Sequence, residues 1–483
     1  MKKNNLLIIM SDEHQSRAMG CAGHPFVKTP HLDRLAQSGT RFTNAYTPSP
    51  ICVPARAAFA TGRYVHRIRK WDNAMPYTGD VPGWGHALQN DSVQVESIGK
   101  LHYRDASDPT GFDIEHMPMM VADGVGMVWA SIRDEDKRMS PGKRMLGEHI
   151  GPGNSKYTDY DAAVTKRTVQ WIEQNAASDT PWCLYVGLVA PHFPLVVPQQ
   201  FYDMYPLDQL PDVKLHPSSG YQRHPWVEKQ NALMNSEAQF ADEQERLSAM
   251  ASYYGLCSWL DDNIGQIVGA LEGSGGADNT TVVYTSDHGD NVGARGLWGK
   301  SNMYEESCAI PLIVSGEQYP SGAVCDTPVS LLDLSVSITN HFDLQIAGSD
   351  DAGDPIGSPL HAIAAAPTDR EREVFSEYHA AGSVTGAFML RRGPWKYIHY
   401  VGFEPELFNL VDDPEELTNL AASDDYQSIH LSMKQSLSAL CDPEAMDALA
   451  HKDQQQLVDS FGGRDAVRHM GAPGATPPPE LNP

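Results

Sequence analysis

Asn5-Leu6-Leu7-Ile8-Ile9-Met10-Ser11-Asp12-Glu13-His14 runs without interruption through five apolar residues, 6–10, and then breaks into polar and acidic ones. A continuous run, rather than alternation, is the pattern of a parallel strand buried on both faces. Five apolar residues are too few for a signal-peptide core or a membrane span. We read a first buried strand, with Asp12 and Glu13 at the carboxyl end where open α/β sheets carry their chemistry.

Three later runs end the same way. Residues 97–100 stop at Lys100, residues 182–189 run into Ala190-Pro191-His192-Phe193-Pro194, and residues 280–286 stop at Asp287-His288-Gly289-Asp290. Between them, residues 29–36 have helical apolar spacing closed by Gly39. Residues 242–271 read as a long amphipathic helix carrying Leu247, Met250, Tyr254, Leu260, Ile264 and Ile267. After about Ala366 the texture changes to short β-type runs at 373–378, 386–391 and 395–400, separated by Gly and Pro, which is the pattern of an antiparallel meander. Arg391, Arg392 and Lys396 within it read as solvated strand residues. Residues 406–410 then lead through Asp412-Asp413-Pro414 into a helix. The expected organisation is an α/β unit over 1–365, an antiparallel β unit with a helix over 366–440, and an extension over 441–483. The Pro-rich end of that extension is expected to be extended unless a neighbouring subunit holds it. There are no internal repeats.

The 483 residues hold 36 Lys and Arg against 62 Asp and Glu, a net charge of −26. Nucleic acid or an acidic membrane surface is therefore excluded as a general partner, since both require a positive field. Apolar residues make up 41% of the chain and aromatic ones 8%, enough for a large core. The seven cysteines stand singly without metal-finger spacing, which points to reduced thiols and a cytoplasmic setting.

The most informative segment is Cys52-Val53-Pro54-Ala55-Arg56 followed by Ala60-Thr61-Gly62-Arg63-Tyr64. If a helix begins here, Cys52 and Arg56 share one face and the helix N-terminus faces an anion. An isolated cysteine is more often a small buried hydrophobe. This one is not isolated, because C-V-P-A-R with A-T-G-R-Y resembles the signature of the sulfatase family. In that family the cysteine of C/S-x-P-x-R is oxidised after translation to formylglycine. Ala55 departs from the serine found in most members.

The resemblance extends from about residue 4 to 422. It implies an alkaline-phosphatase-like α/β fold, with a mixed, mostly parallel central sheet sandwiched by helices and a smaller C-terminal antiparallel sheet. Asp12, Glu13, Asp287 and His288, with Cys52, occupy the family's metal-binding places. Carboxylate oxygens with at most one imidazole suit Ca²⁺, with Mn²⁺ or Mg²⁺ as alternatives, better than zinc. Gly99-Lys100-Leu101-His102-Tyr103, Ala190-Pro191-His192-Phe193-Pro194 and Gly299-Lys300 follow the family's further elements in order. Asn73 matches an asparagine that contacts the sulfate or phosphate group in relatives such as phosphonate monoester hydrolases and choline sulfatases. Taken singly, a His or a Lys has an ordinary surface or core reading; their joint appearance at strand ends is what changes it.

The resemblance implies hydrolysis of small-molecule sulfate monoesters, of arylsulfatase type. Arg56, Lys100, Lys300 and the cation neutralise the ester oxygens. One hydroxyl of hydrated formylglycine attacks sulfur while His192 or Lys300 protonates the leaving oxygen. His102 takes the proton of the second hydroxyl, and sulfate leaves as the aldehyde reforms. Phosphonate monoester or phosphate diester hydrolysis at the same site is the alternative. A binding protein with a vestigial site would keep Cys52 as a thiol and bind no metal. Maturation implies a formylglycine-generating enzyme as partner, and the tail suggests a homo-oligomer, dimer or tetramer. Trp71, Tyr77, Tyr103, Trp129, Glu377 and His379 are candidates to line the substrate pocket. An aromatic cage beside a carboxylate would suit a choline ester.

Overall fold

The computed structural model of the chain describes residues 5–135, 137–138, 144–468, 470 and 475–481. Its elements in chain order begin with β1 (Asn5–Asp12), α1 (Pro30–Ser38), β2 (Thr40–Phe42), α2 (Cys52–Thr61), β3 (Gln94–Lys100) and β4 (Ile114–Met119). They continue through α3 (Lys156–Asn175), β5 (Trp182–Pro191), α4 (Glu243–Gly273), β6 (Thr280–Ser286), β7 (Leu312–Ser315), β8 (Ala323–Cys325) and α5 (Leu331–His341). The C-terminal part holds β9 (Glu373–Tyr378), β10 (Ala387–Arg392), β11 (Trp395–Tyr400), β12 (Glu406–Asn409), α6 (Gln427–Leu440) and α7 (Pro443–Ser460).

The eight-stranded sheet runs β8-β2-β7-β6-β1-β5-β3-β4. All its pairings are parallel except those of β7, which is antiparallel to both neighbours. Every residue of β1 is buried, and its side chains sort by parity. Leu6, Ile8 and Met10 pack with Ala57 and Phe59 of α2 and Leu331 of α5. Leu7 and Ile9 pack with Leu32 of α1, Trp171 of α3 and Leu260 of α4 on the opposite face. Burying each aliphatic side chain contributes about 1.5–3 kcal/mol, so a strand apolar on both sides fits only between two helical layers. The four strands read from the sequence, β6-β1-β5-β3, are the adjacent parallel centre of the sheet. Their carboxyl ends therefore converge on one edge.

Gly99 and Gly187 allow that convergence. Gly99 has φ +98°, and a Cβ on either residue would collide with backbone of the other strand, the Gly187 carbonyl in one case and Lys100 in the other. Only glycine tolerates both the close approach and the left-handed backbone.

β9–β12 form the separate four-stranded antiparallel sheet. Its inner face packs on the α/β unit through Val374, Met389 and Ile398 against Tyr46, Ile51 and Cys308. Two of the residues expected to be solvated are not. Lys396 is fully buried between Glu305 at 2.8 Å and Glu416 at 2.7 Å, and Arg391 is buried on Tyr46 and backbone carbonyls. Both point to the inner face, where paired carboxylates offset the desolvation of the Lys396 charge. The segment after Pro414 is a series of turns, and the helix expected there begins only at Gln427. Within the extension, α7 packs back on its own chain: it places Asp447 2.5 Å from Arg133, and Gln454 donates to Asp72 at 2.8 Å. Among the described residues no helix is long and apolar enough to cross a membrane.

Candidate active site

α2 starts at Cys52, after the extended Ile51, without a side-chain cap of its own. One of its unsatisfied first-turn amides is met from outside: Val53 N–H donates to Asn73 Oδ1 at 3.3 Å. Asp72 anchors that loop by accepting from Ser131 at 2.7 Å and from Gln454. Gly62, at φ +67°, ends the helix with its N–H on the Ala58 carbonyl. The ten residues of α2 are all buried, so the helix is a rigid post that presents Cys52 and Arg56 to the sheet edge.

Cys52 Sγ lies 3.5 Å from Asp12 Oδ1 and 3.2 Å from His288 Nε2. The ligand atoms of Asp12, Cys52, Asp287 and His288 all fall within 4.8 Å of one another, as do those of Asp12, Glu13 and His192. Arg56 Nε donates to Asp287 Oδ2 at 2.7 Å, and its Nη1 to Tyr185 and to the Lys100 carbonyl, both at 2.9 Å. Lys100 Nζ is 2.5 Å from Asp12 Oδ2, and Lys300 Nζ is 2.9 Å from Glu13 Oε2. His192 Nε2 faces Glu13 Oε2 at 3.4 Å, while its Nδ1 is held by the Phe193 carbonyl. His288 Nδ1 meets the Gly289 carbonyl at 3.1 Å, so Nδ1 carries the proton and the Nε2 lone pair faces the centre.

The charges of the site are set by burial and by one another. Burial alone would raise the Asp12 carboxyl; Lys100 first, then His192 and Lys300, outweigh it and hold it well below the usual range. Glu13 is pushed well above its usual range by burial, against Lys300. Burial pushes the Cys52 thiol up to about 12, with Asp12 adding to it, so the unmodified side chain is no thiolate nucleophile. Burial lowers His288 to about 4 and puts His102 and His192 well below their usual value, with Lys100 and Lys300 respectively reinforcing it. Glu13, His102 and Ser301 all have positive φ, +71°, +60° and +82°, backbone strain gathered at one site.

A cation fits this donor set. Asp12 and Asp287 bring carboxylates and His288 an inward imidazole nitrogen. Glu13 Oε1 is buried with no hydrogen-bond partner among the described residues while Oε2 is engaged by Lys300. An orphaned buried carboxylate oxygen beside two other acids is costly without a positive charge to meet it.

The site opens into a pocket of about 90 Å³ lined by Cys52, Asn73, Lys100, His102, His192 and Lys300. Much of the rest of its wall is apolar, with Met127, Trp129, Met145 and Trp298, interrupted by the uncharged polar residues Gln230, Asn231, Ser301 and Asn302. A roomier cavity of about 530 Å³, lined by Arg17, Arg41, Arg370 and Arg391, contains none of these chemical groups.

Of the aromatic and polar candidates for the pocket, Trp129 alone reaches it. Tyr103 does not: it packs edge-on against Tyr77 in the core, with ring centroids 5.1 Å apart. Trp71 and Tyr77 are core residues, and Glu377 pairs with His66 and His379. The sequence reading missed three supports. Asp290 accepts from the Val292 and Gly299 amides, fixing the approach to Lys300. Asp161 accepts from Val189 and Ala190, both at 2.8 Å, fixing the β5 end before His192. Thr476 meets His102. Asp290 was visible as the last residue of the Asp287 motif; the other two had no local signal.

Comparison with known proteins agrees with this architecture. Residues 4–344 match the Sulfatase family, and residues 293–442 match the family described as N-sulphoglucosamine sulphohydrolase, C-terminal. The choline-sulfatase of Rhizobium meliloti (strain 1021) is 30% identical over 473 residues, covering 94% of this chain and 90% of that protein. Arylsulfatase K of Danio rerio is 28% identical, covering 94% and 87%. The crystal structure of the phosphonate monoester hydrolase of Agrobacterium radiobacter superposes with a TM-score of 0.75 at 22% identity, covering 91% of this chain and 95% of that one.

Proposed function

Since the chain belongs to the sulfatase family, and is thereby a sulfuric ester hydrolase, we propose that it cleaves sulfate monoesters of neutral alcohols and phenols through a formylglycine made from Cys52. Asp12, Asp287 and His288, with Glu13, would hold one divalent cation, Ca²⁺ by its oxygen-rich donor set. That cation would supply charge neutralisation for the ester oxygens and for an ionised hydroxyl. A formylglycine-generating enzyme would be the maturation partner.

The observation that carries the reading is the position of Cys52: first residue of a buried helix, at the floor of a pocket, with two carboxylates, an imidazole and three cationic side chains around it. Around a tetrahedral monoanion, Lys100 and Lys300 meet the oxygens from two sides, and Asn73, pinned to the α2 N-terminus, orients a third. Arg56 holds Asp287 and so aligns the carboxylate that faces the nucleophile. Lys300 is the proton donor nearest the leaving oxygen, His192 turns its Nε2 lone pair inward with Nδ1 held on the Phe193 carbonyl, and His102 stands as the acceptor for the hydroxyl that expels sulfate.

The wall argues for the leaving group. Among the described lining residues there is no carboxylate, and Lys100 and Lys300 face the same space. A quaternary ammonium would therefore have the Trp129, Trp298 and Phe193 rings but no carboxylate to hold it, against two ammonium groups, so a neutral leaving group fits better. A second reading is phosphonate monoester hydrolysis, favoured by Asn73 and by a floor that would meet any singly charged tetrahedral head alike. The test is mass spectrometry of the Cys52 peptide together with kcat/KM for 4-nitrophenyl sulfate and 4-nitrophenyl phenylphosphonate. Conversion of Cys52 with the sulfate preferred supports the reading; an unconverted thiol on active enzyme removes formylglycine from it, and a preference for the phosphonate installs the second reading.

A further inference from the structure

The described end of the C-terminal tail, residues 475–481, enters the active site with its first two residues. Ala475 and Thr476 line the pocket. Thr476 Oγ1 is 2.9 Å from His102 Nε2, and the Tyr157 hydroxyl donates to the Thr476 carbonyl. The Tyr157 ring in turn meets the His192 ring edge-on, with centroids 5.8 Å apart. The tail is thus fastened directly to one candidate catalytic histidine and through a single ring to the other. His102 Nδ1 is buried with no partner, so Thr476 is the one side-chain contact that orients the imidazole among the described residues.

With the tail in place the pocket measures about 90 Å³, below the roughly 300–1,000 Å³ of ordinary small-molecule sites. That space admits a sulfate head and a narrow leaving group. Pro477, Pro478 and Pro479 follow directly, and a run of prolines is stiff and extended, so holding it against the site costs less conformational entropy than holding an ordinary terminus.

We propose that Ala475 and Thr476 of the tail form a wall of the substrate pocket, and that Thr476 is a specificity-determining and positioning residue which fixes the His102 ring and keeps wide leaving groups out. This rests on the reading of the pocket as an ester-hydrolysing site. The tail then selects among sulfate esters by the width of the alcohol or phenol beside the sulfur.

The test compares the full chain, with Cys52 conversion verified by mass spectrometry, with a chain ending at Met470, a full-length Ala475→Gly/Thr476→Gly double variant, and the single variants Thr476→Val and Thr476→Ser. The readout is kcat/KM for 4-nitrophenyl sulfate and the wider 4-methylumbelliferyl sulfate, with the matching phosphonates as a second series. Shortening the chain, or the double glycine variant if the shortened chain does not fold, is expected to raise the wide-to-narrow ratio about tenfold. Thr476→Val is expected to lower kcat about tenfold with KM nearly unchanged, and Thr476→Ser to restore it. An active parent whose ratio is the same in the opened variants, or a Thr476→Val enzyme with unchanged kcat, overturns the wall while leaving the sulfatase reading intact. A converted parent inactive on both ester series overturns the site reading and the wall with it.

Discussion

Lys100 Nζ stands 2.5 Å from Asp12 Oδ2, and both side chains are almost wholly excluded from solvent. A buried ion pair of this kind is not a stability device in itself, since desolvating both charges offsets most of their attraction, but breaking it strands the surviving partner. Here the stranded partner would be a carboxylate among other carboxylates. Lys100→Met should therefore lower the stability of cation-free protein by about 3 kcal/mol, and added Ca²⁺ should recover part of the loss by supplying the missing charge. Thermal melts with chelator and with Ca²⁺ read this directly; equal melting temperatures for parent and variant under chelation would contradict it. kcat/KM should also fall by about 10²–10³.

Cys52 makes few contacts beyond Asp12 and His288, and its environment disfavours a thiolate. Cys52→Ala removes one atom from a site the surrounding charges already define. The expected result is turnover reduced to the uncatalysed background with the unfolding free energy within about 1 kcal/mol of the parent. Urea denaturation with parallel assays decides it, and substantial residual hydrolysis would mean that another group attacks the ester.

What was legible in the sequence follows from where the information sits. β6, β1 and β5 carry apolar residues on both faces, and all three, like β3, end in chemistry, so the centre of the sheet and Asp12, Lys100, His192 and Asp287 could be read together. The strands on one side of the sheet, β2, β7 and β8, are three or four residues long, and so short a run has no measurable period. α3 buries Tyr157, Tyr160, Thr165, Thr168 and Trp171, whose polar atoms blur the apolar stripe. Lys396 was misjudged because a charge reads as solvated until its partners Glu305 and Glu416 are placed beside it. Thr476 was beyond reach for a different reason: its partner His102 is 374 residues away, and nothing in Ala-Thr-Pro-Pro-Pro marks a contact.

Glu377 binds the C-terminal sheet to the catalytic unit by accepting from the His66 backbone amide and side chain, both at 2.9 Å, with His379 on its other oxygen at 3.2 Å. Burial alone would raise this carboxyl, but His66 and His379 outweigh it and bring it from 4.5 to about 2. A carboxyl depressed in the folded state stabilises above its unfolded value and loses that contribution as pH falls through the folded one. Its contribution, about 3 kcal/mol, should be complete above pH of about 5 and disappear towards pH of about 2. Glu377→Gln should be less stable than the parent at neutral pH and converge with it in acid. Melting curves that stay parallel down to the onset of acid unfolding would assign the acid sensitivity to other carboxylates.

Asp287 carries two duties, as the partner of Arg56 Nε at 2.7 Å and as a member of the cation-fitting group with Asp12 and His288. Asp287→Asn keeps the shape and one acceptor for Arg56 but removes a negative charge from the cation site. The variant should lose the stabilisation that the parent gains from Ca²⁺. For the parent that gain is about 2.7 kcal/mol at a free cation concentration near 100 times Kd. A charge-only role towards Arg56 predicts the opposite signature, a variant destabilised equally with and without Ca²⁺. Melting temperatures across a Ca²⁺ titration separate the two, with no dependence on turnover. Prolonged chelation of the parent should abolish hydrolysis and lower its melting temperature together, and Ca²⁺ should restore both, because the same carboxylates serve the fold of the site and its chemistry.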